Sequence, residues 1–157
     1  MMTQCPDPIG VLRGHIASVN SVNFLTSSRL LSGSGDGVIK LWDVAQRREI
    51  TSNTAHSKAG VLQIAPISPY QVLTQGRDGF VRLWDTARFS EKTTPVSSYY
   101  CGSFSFTKCA TMRWESQVEA EFKHLVVCPG SHFQEVQICS LYLPIQFSSY
   151  KQYLSYH

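Results

Sequence analysis

Leu30-Leu31-Ser32-Gly33-Ser34-Gly35-Asp36-Gly37-Val38-Ile39-Lys40-Leu41-Trp42-Asp43 reads as two short strands around one tight turn, and the pattern returns 42 residues later. The second copy is Val72-Leu73-Thr74-Gln75-Gly76-Arg77-Asp78-Gly79-Phe80-Val81-Arg82-Leu83-Trp84-Asp85, so Asp36 is matched by Asp78 and Trp42 by Trp84. Asp-Gly between alternating runs is a strong hairpin signal. Glycine accepts a positive φ at no steric cost, and aspartate folds its carboxylate back onto nearby amides. Folding each pair of strands about its turn predicts Ser32 roughly opposite Trp42 and Thr74 roughly opposite Trp84, with a hydroxyl beside each indole. Ser34 is not matched, because Gly76 stands in its place.

A repeat of about 40 to 45 residues that closes on Trp-Asp is the signature of a propeller blade, and the chain resembles the WD40 family in the order of its marks. Gly14-His15 opens the first unit and Trp42-Asp43 closes its third strand, while His56 and Trp84-Asp85 do the same for the second. The resemblance implies two hydrogen-bonded sets, His15, Ser32, Asp36 and Trp42 in one and His56, Thr74, Asp78 and Trp84 in the other. Such sets satisfy buried polar groups and fix one packing, so their implied role is architectural. The fold class expected is all-β, a partial WD40 β-propeller of about three four-stranded antiparallel blades whose ring is not closed.

Closed propellers use about 4 to 8 blades, and 157 residues at a period of 42 hold fewer than four. The expectation is therefore the N-terminal part of a longer protein, whether as a fragment, a truncated isoform or a mispredicted gene model. A hydrophobic fraction of 43% and a charged fraction of 16% describe a soluble globular chain. The net charge of +3 is dispersed, with Arg47-Arg48 its only adjacent basic pair, which argues against nucleic-acid binding by charge. Five cysteines, at 5, 101, 109, 128 and 139, lack the paired spacing of a zinc site and read as reduced thiols. With no signal-peptide core and no apolar run of spanning length, no membrane insertion and a cytoplasmic or nuclear location are expected.

Taken in order, residues 1–8 read as a flexible lead and 9–13 as the strand that would close the ring. The first blade, about 14–53, has strands at 18–25, 29–34, 38–43 and 49–53; the second, about 56–98, at 60–67, 70–75, 80–85 and within 92–98. A degraded third blade, about 100–141, is read with an inner strand at 101–107, then 122–128 and 135–141. Trp84 to Cys139 is 55 residues rather than 42, which predicts an insertion around 110–121. Residues 142–157 read as a divergent tail.

Pro6-Asp7-Pro8, Val11-Leu12-Arg13-Gly14-His15, the His56-Ser57 pair, Gln75-Gly76-Arg77-Asp78-Gly79 and Val127-Cys128-Pro129-Gly130 resemble, within WD40 proteins, the ASTRA-associated and G-protein β-subunit-like group, with its plant decreased size exclusion limit members. This implies a non-enzymatic scaffold with no cofactor. Its partners would be other proteins, held at the propeller rim and blade edges, in ASTRA or PI3K-like kinase cochaperone assemblies or in plant intercellular trafficking. Exposed loop residues Arg13, Lys58, Tyr70 and Arg77 are the partner-binding candidates. A hydrolase reading of Ser32, His15 and Asp36 is weaker, since the same set recurs at blade spacing, as a packing device does and a catalytic site seldom does. The remaining alternative is a splice-derived fragment without independent function.

Overall fold

The computed structural model describes residues 7–115, 122–132, 134–142 and 146–150. Among these, three four-stranded antiparallel sheets form in succession. The first holds β1 Val19–Phe24, β2 Arg29–Ser34, β3 Val38–Asp43 and β4 Arg48–Thr54. The second holds β5 Val61–Ser68, β6 Gln71–Gly76, β7 Phe80–Asp85 and β8 Ser97–Tyr100, and the third β9 Ala110–Glu115, β10 Phe122–Pro129, β11 Val136–Tyr142 and β12 Gln146–Tyr150. Each sheet is a meander in which consecutive strands pair.

The central hairpins turn where Asp-Gly predicts, but one residue wider than a two-residue loop. Gly37 donates its N–H to the Ser34 carbonyl at 3.1 Å and has φ of +87°; Gly79 does the same to Gly76 at 3.3 Å with φ of +78°. A turn followed by a glycine bulge sets the register. Leu30 therefore stands opposite Trp42, and Val72 opposite Trp84. The expected pairing is corrected by this: Ser32 faces Lys40 and Thr74 faces Arg82, so each hydroxyl lies diagonal to its indole. Large aromatics reach across that diagonal.

The sheets stack face to face. Leu31, Ile39 and Leu41 of the first meet Val61, Ile64, Val72 and Trp84 of the second in one buried cluster. On the opposite face of the second sheet, Leu73, Val81 and Leu83 meet Val126, Cys128, Cys139 and Leu141 of the third. Alternation along each strand makes this possible, because neighbours point to opposite faces. Gly33 lies at the first junction, where an added Cβ would come within 2.5 Å of the Val61 side chain.

Four expectations are corrected. Residues 9–13 form no strand, since none of the described strands pairs with them, and Ile9 and Val11 are left exposed. Residues 101–107 form a loop rather than an inner strand. Gln75 holds its far end, donating from Nε2 to the Thr107 carbonyl at 2.9 Å and accepting the Cys109 N–H at 2.8 Å, while Gly102 takes φ of +70°. The inner strand is instead β9, inside the segment read as an insertion, of which 116–121 lie outside the described residues. Finally, the segment read as a divergent tail supplies β12, paired to β11 from Ile138↔Tyr150 to Tyr142↔Gln146. The rest of that tail, and 1–6 of the lead, fall outside the described residues.

Candidate functional site

In the second sheet the four residues expected to form a set meet. Trp84 Nε1 donates to Thr74 Oγ1 at 2.8 Å, Thr74 Oγ1 lies 2.9 Å from His56 Nε2, and His56 Nδ1 lies 2.9 Å from Asp78 Oδ1. One proton arrangement satisfies every atom: Nδ1–H donates to the carboxylate, and the threonine hydroxyl donates to Nε2 while accepting the indole N–H. Burial lowers the pKa of His56, so the ring is neutral, as this arrangement needs. Burial pushes Asp78 up, but the hydrogen bonds from His56 and Arg82 outweigh it and bring the carboxyl down to about 2. Arg82 is a fifth member that sequence reading missed. Its Nη1 donates to Asp78 Oδ2 at 2.6 Å and stands against His56 Nδ1. Its place opposite Thr74, visible only once the register is known, was the missing signal.

The first sheet repeats half of this. Trp42 Nε1 donates to Ser32 Oγ at 2.7 Å, and Ser32 Oγ lies 2.6 Å from His15 Nε2. There the chain stops. Asp36 is held instead by the Ser34 hydroxyl and by the Val38 N–H at 3.2 Å, and His15 Nδ1 is buried with no partner. The Ser34 bond lowers the Asp36 pKa, and burial followed by the Lys40 charge lowers that of His15. Lys40 is itself paired with Glu49 at 2.5 Å. The structure thus joins His15, Ser32 and Trp42 but leaves Asp36 apart.

Chain direction sorts the exposed candidates. Arg77 lies in the β6–β7 turn, and Lys58 in the loop from β4 to β5, at the same end of the second sheet; Arg77 N–H bonds the Gly60 carbonyl at 2.9 Å. Arg13 is exposed but lies elsewhere, along the first sheet: Gly10 stands against the Arg47 side chain in the β3–β4 turn and Gly14 against Trp42 and Glu49. Tyr70 is in the β5–β6 turn at the opposite end, so of the four candidates the structure brings only Lys58 and Arg77 together. Joining the first rim is Phe106, 70% exposed, with the Arg77 guanidinium 4.6 Å from its ring centroid. Phe104 is exposed beside it. Both were missed because 101–107 read as a strand.

Beneath that loop, Cys101, Cys109, Cys128 and Cys139 are free and buried. A hydrogen bond to Cys128 lowers Cys101 to about 6, and burial raises Cys109 to about 11. Among the described residues no group of three or more His, Cys, Asp or Glu side chains is arranged to hold a metal ion, and no helix is long and apolar enough to cross a membrane.

Comparison with known proteins agrees with this geometry. The family model "WD domain, G-beta repeat" matches residues 6–43. Guanine nucleotide-binding protein subunit beta-like protein 1 of Mus musculus is 29% identical over 143 residues, which cover 87% of this chain and 42% of the mouse protein. ASTRA-associated protein 1 of Schizosaccharomyces japonicus is 38% identical over 71 residues, 45% of this chain and 19% of that protein. The chain thus spans less than half the length of either relative. The WD40 domain of Toxoplasma gondii coronin superposes with a TM-score of 0.65 at 17% identity, over 92% of this chain and 37% of that one. The chain thus carries a WD repeat at residues 6–43, and its stacked four-stranded sheets have the fold of a WD40-type β-propeller, with no closed ring among the described residues.

Proposed function

We propose that this chain is a non-enzymatic adaptor that holds other proteins on the rim carrying Lys58, Arg77 and Phe106. The single observation that supports this most is the cationic and aromatic pair Arg77 and Phe106, exposed on a loop end whose backbone is fixed by buried sheets. Arginine and large aromatics are the side chains that most often carry binding energy at interfaces. The two histidine-centred sets serve this function indirectly, by keeping the loop ends rigid.

The likeness to ASTRA-associated protein 1 supports a place in ASTRA-type assemblies, among the cochaperones that mature PI3K-like kinases, in the cytoplasm or nucleus. Capture of purified cochaperone components by the immobilised chain tests the reading. Arg77→Glu with Phe106→Ala is expected to abolish capture while leaving the melting temperature unchanged, and Tyr70→Ala at the other end is expected to leave capture intact. Equal capture by wild type and the double variant would overturn the assignment of the rim.

A further inference from the structure

The 42-residue repeat lets the same position be compared in two settings. Val19 and Val22 of β1 correspond to Val61 and Ile64 of β5. Val61 and Ile64 are 0% and 1% exposed because the first sheet covers them, whereas Val19 and Val22 are 51% and 60% exposed, with Phe24 beside them at 57%. The first sheet therefore presents outward the kind of face that the second uses to receive its neighbour. At the far end, alternation puts Met112, Val127 and Ile138 on the third-sheet face turned away from the second sheet, and Val136 follows on the same side of β11. Met112, Val136 and Ile138 are exposed.

These two faces are the halves of one junction. Inside the chain, the Leu31–Leu41 side of one sheet always meets the Ile64–Trp84 side of the next. The free side of the third sheet is of the first kind, and the free side of the first sheet is of the second kind. We infer that a second copy of this chain covers both faces, the third sheet of each copy packing on the first sheet of the other. Two such head-to-tail contacts close about a two-fold axis, so neither apolar face is left over. The six sheets that result fall within the four to eight blades of closed propellers. The segment leading into β1 covers one part of this face, lying over Trp42 with Gly14 near the indole edge, and leaves Val22 and Phe24 open for the second copy.

Mass measurement by light scattering on the full chain, with two variants, tests the arrangement. Wild type is expected at twice the 17.6 kDa of one chain. Val22→Asp and Ile138→Lys, both at exposed positions, are each expected to run as monomers with an unchanged β-type circular dichroism spectrum. Mixing them should restore a dimer, because one of the two contacts then joins two unaltered faces and the other sets Asp against Lys. Monomeric wild type, open-ended assemblies of wild type, or a dimer that survives Ile138→Lys would each overturn the inference. The last of these would mean that first-sheet faces pair with each other.

Discussion

A Cβ on Gly76 would stand 2.1 Å from His56 Nδ1, so the ring reaches Asp78 only because residue 76 has no side chain. The equivalent position of the first sheet carries Ser34, whose hydroxyl bonds Asp36, and there the histidine-to-aspartate link is missing. One side chain thus decides whether the set has three linked members or four. Gly76→Ser, which copies the first hairpin into the second, is expected to expel His56 from its bond with Asp78. The expected loss is about 2–3 kcal/mol, from crowding in a close-packed site and a broken buried hydrogen bond. Denaturant unfolding checks it, and a loss under about 0.5 kcal/mol, the range of ordinary surface changes, would show that the ring has room to spare.

Thr74 is both donor to His56 and acceptor from Trp84. Thr74→Val keeps the shape and removes both bonds, leaving two buried polar groups unpaired at a cost of about 2–4 kcal/mol. Ser32→Ala in the first sheet should cost less, because the His15 side chain is only partly buried. Equilibrium unfolding of the two variants side by side gives the order.

Trp42 and Trp84 are each 2% exposed, and Trp84 is further held edge-on by Phe89 at 5.9 Å between centroids. Truncating either to alanine is expected to destabilise the fold by about 3–5 kcal/mol. An unchanged melting transition for Trp84→Ala would contradict the packing described here.

Acid should act in two stages. The fold favours neutral His56, so its contribution is complete above the ordinary value of 6.5 and declines as pH falls below it. The Asp78 carboxyl is lowered from 3.8 to about 2, so its contribution is present above 3.8 and is lost as pH falls toward 2. Melting temperatures recorded against pH should therefore fall below about 6.5 and again between about 4 and 2. Asp78→Asn is expected to flatten the second decline, and His56→Gln the first.

The hairpins, the period and seven of the eight residues in the two sets could be read from the sequence because Asp-Gly turns and Trp-Asp ends are local signals that tertiary packing does not overrule. The register could not, since it depends on whether the turn spans two residues or includes a glycine bulge, as Gly37 and Gly79 do. Asp36 was misassigned to the first set for the same kind of reason: Ser34 competes for it at a distance of two residues, and that competition is decided by geometry. Ahead of the third sheet, residues 101–107 alternate like a strand, yet the side chain of Gln75, on the second sheet, takes the Thr107 carbonyl and the Cys109 amide just beyond it. Residues 9–13 have the composition of a strand and pair with none of the described strands.

The central claim is that one blade design, a hydroxyl that accepts an indole N–H inside a stack of sheets, is built twice in this chain. Proton NMR of the indole Nε1–H groups of Trp42 and Trp84 tests it most directly. Both should resist exchange with deuterated solvent, with Ser32→Ala releasing only the Trp42 proton and Thr74→Val only the Trp84 proton. Two indole protons that exchange as fast as those of free tryptophan, or that respond to neither substitution, would contradict it.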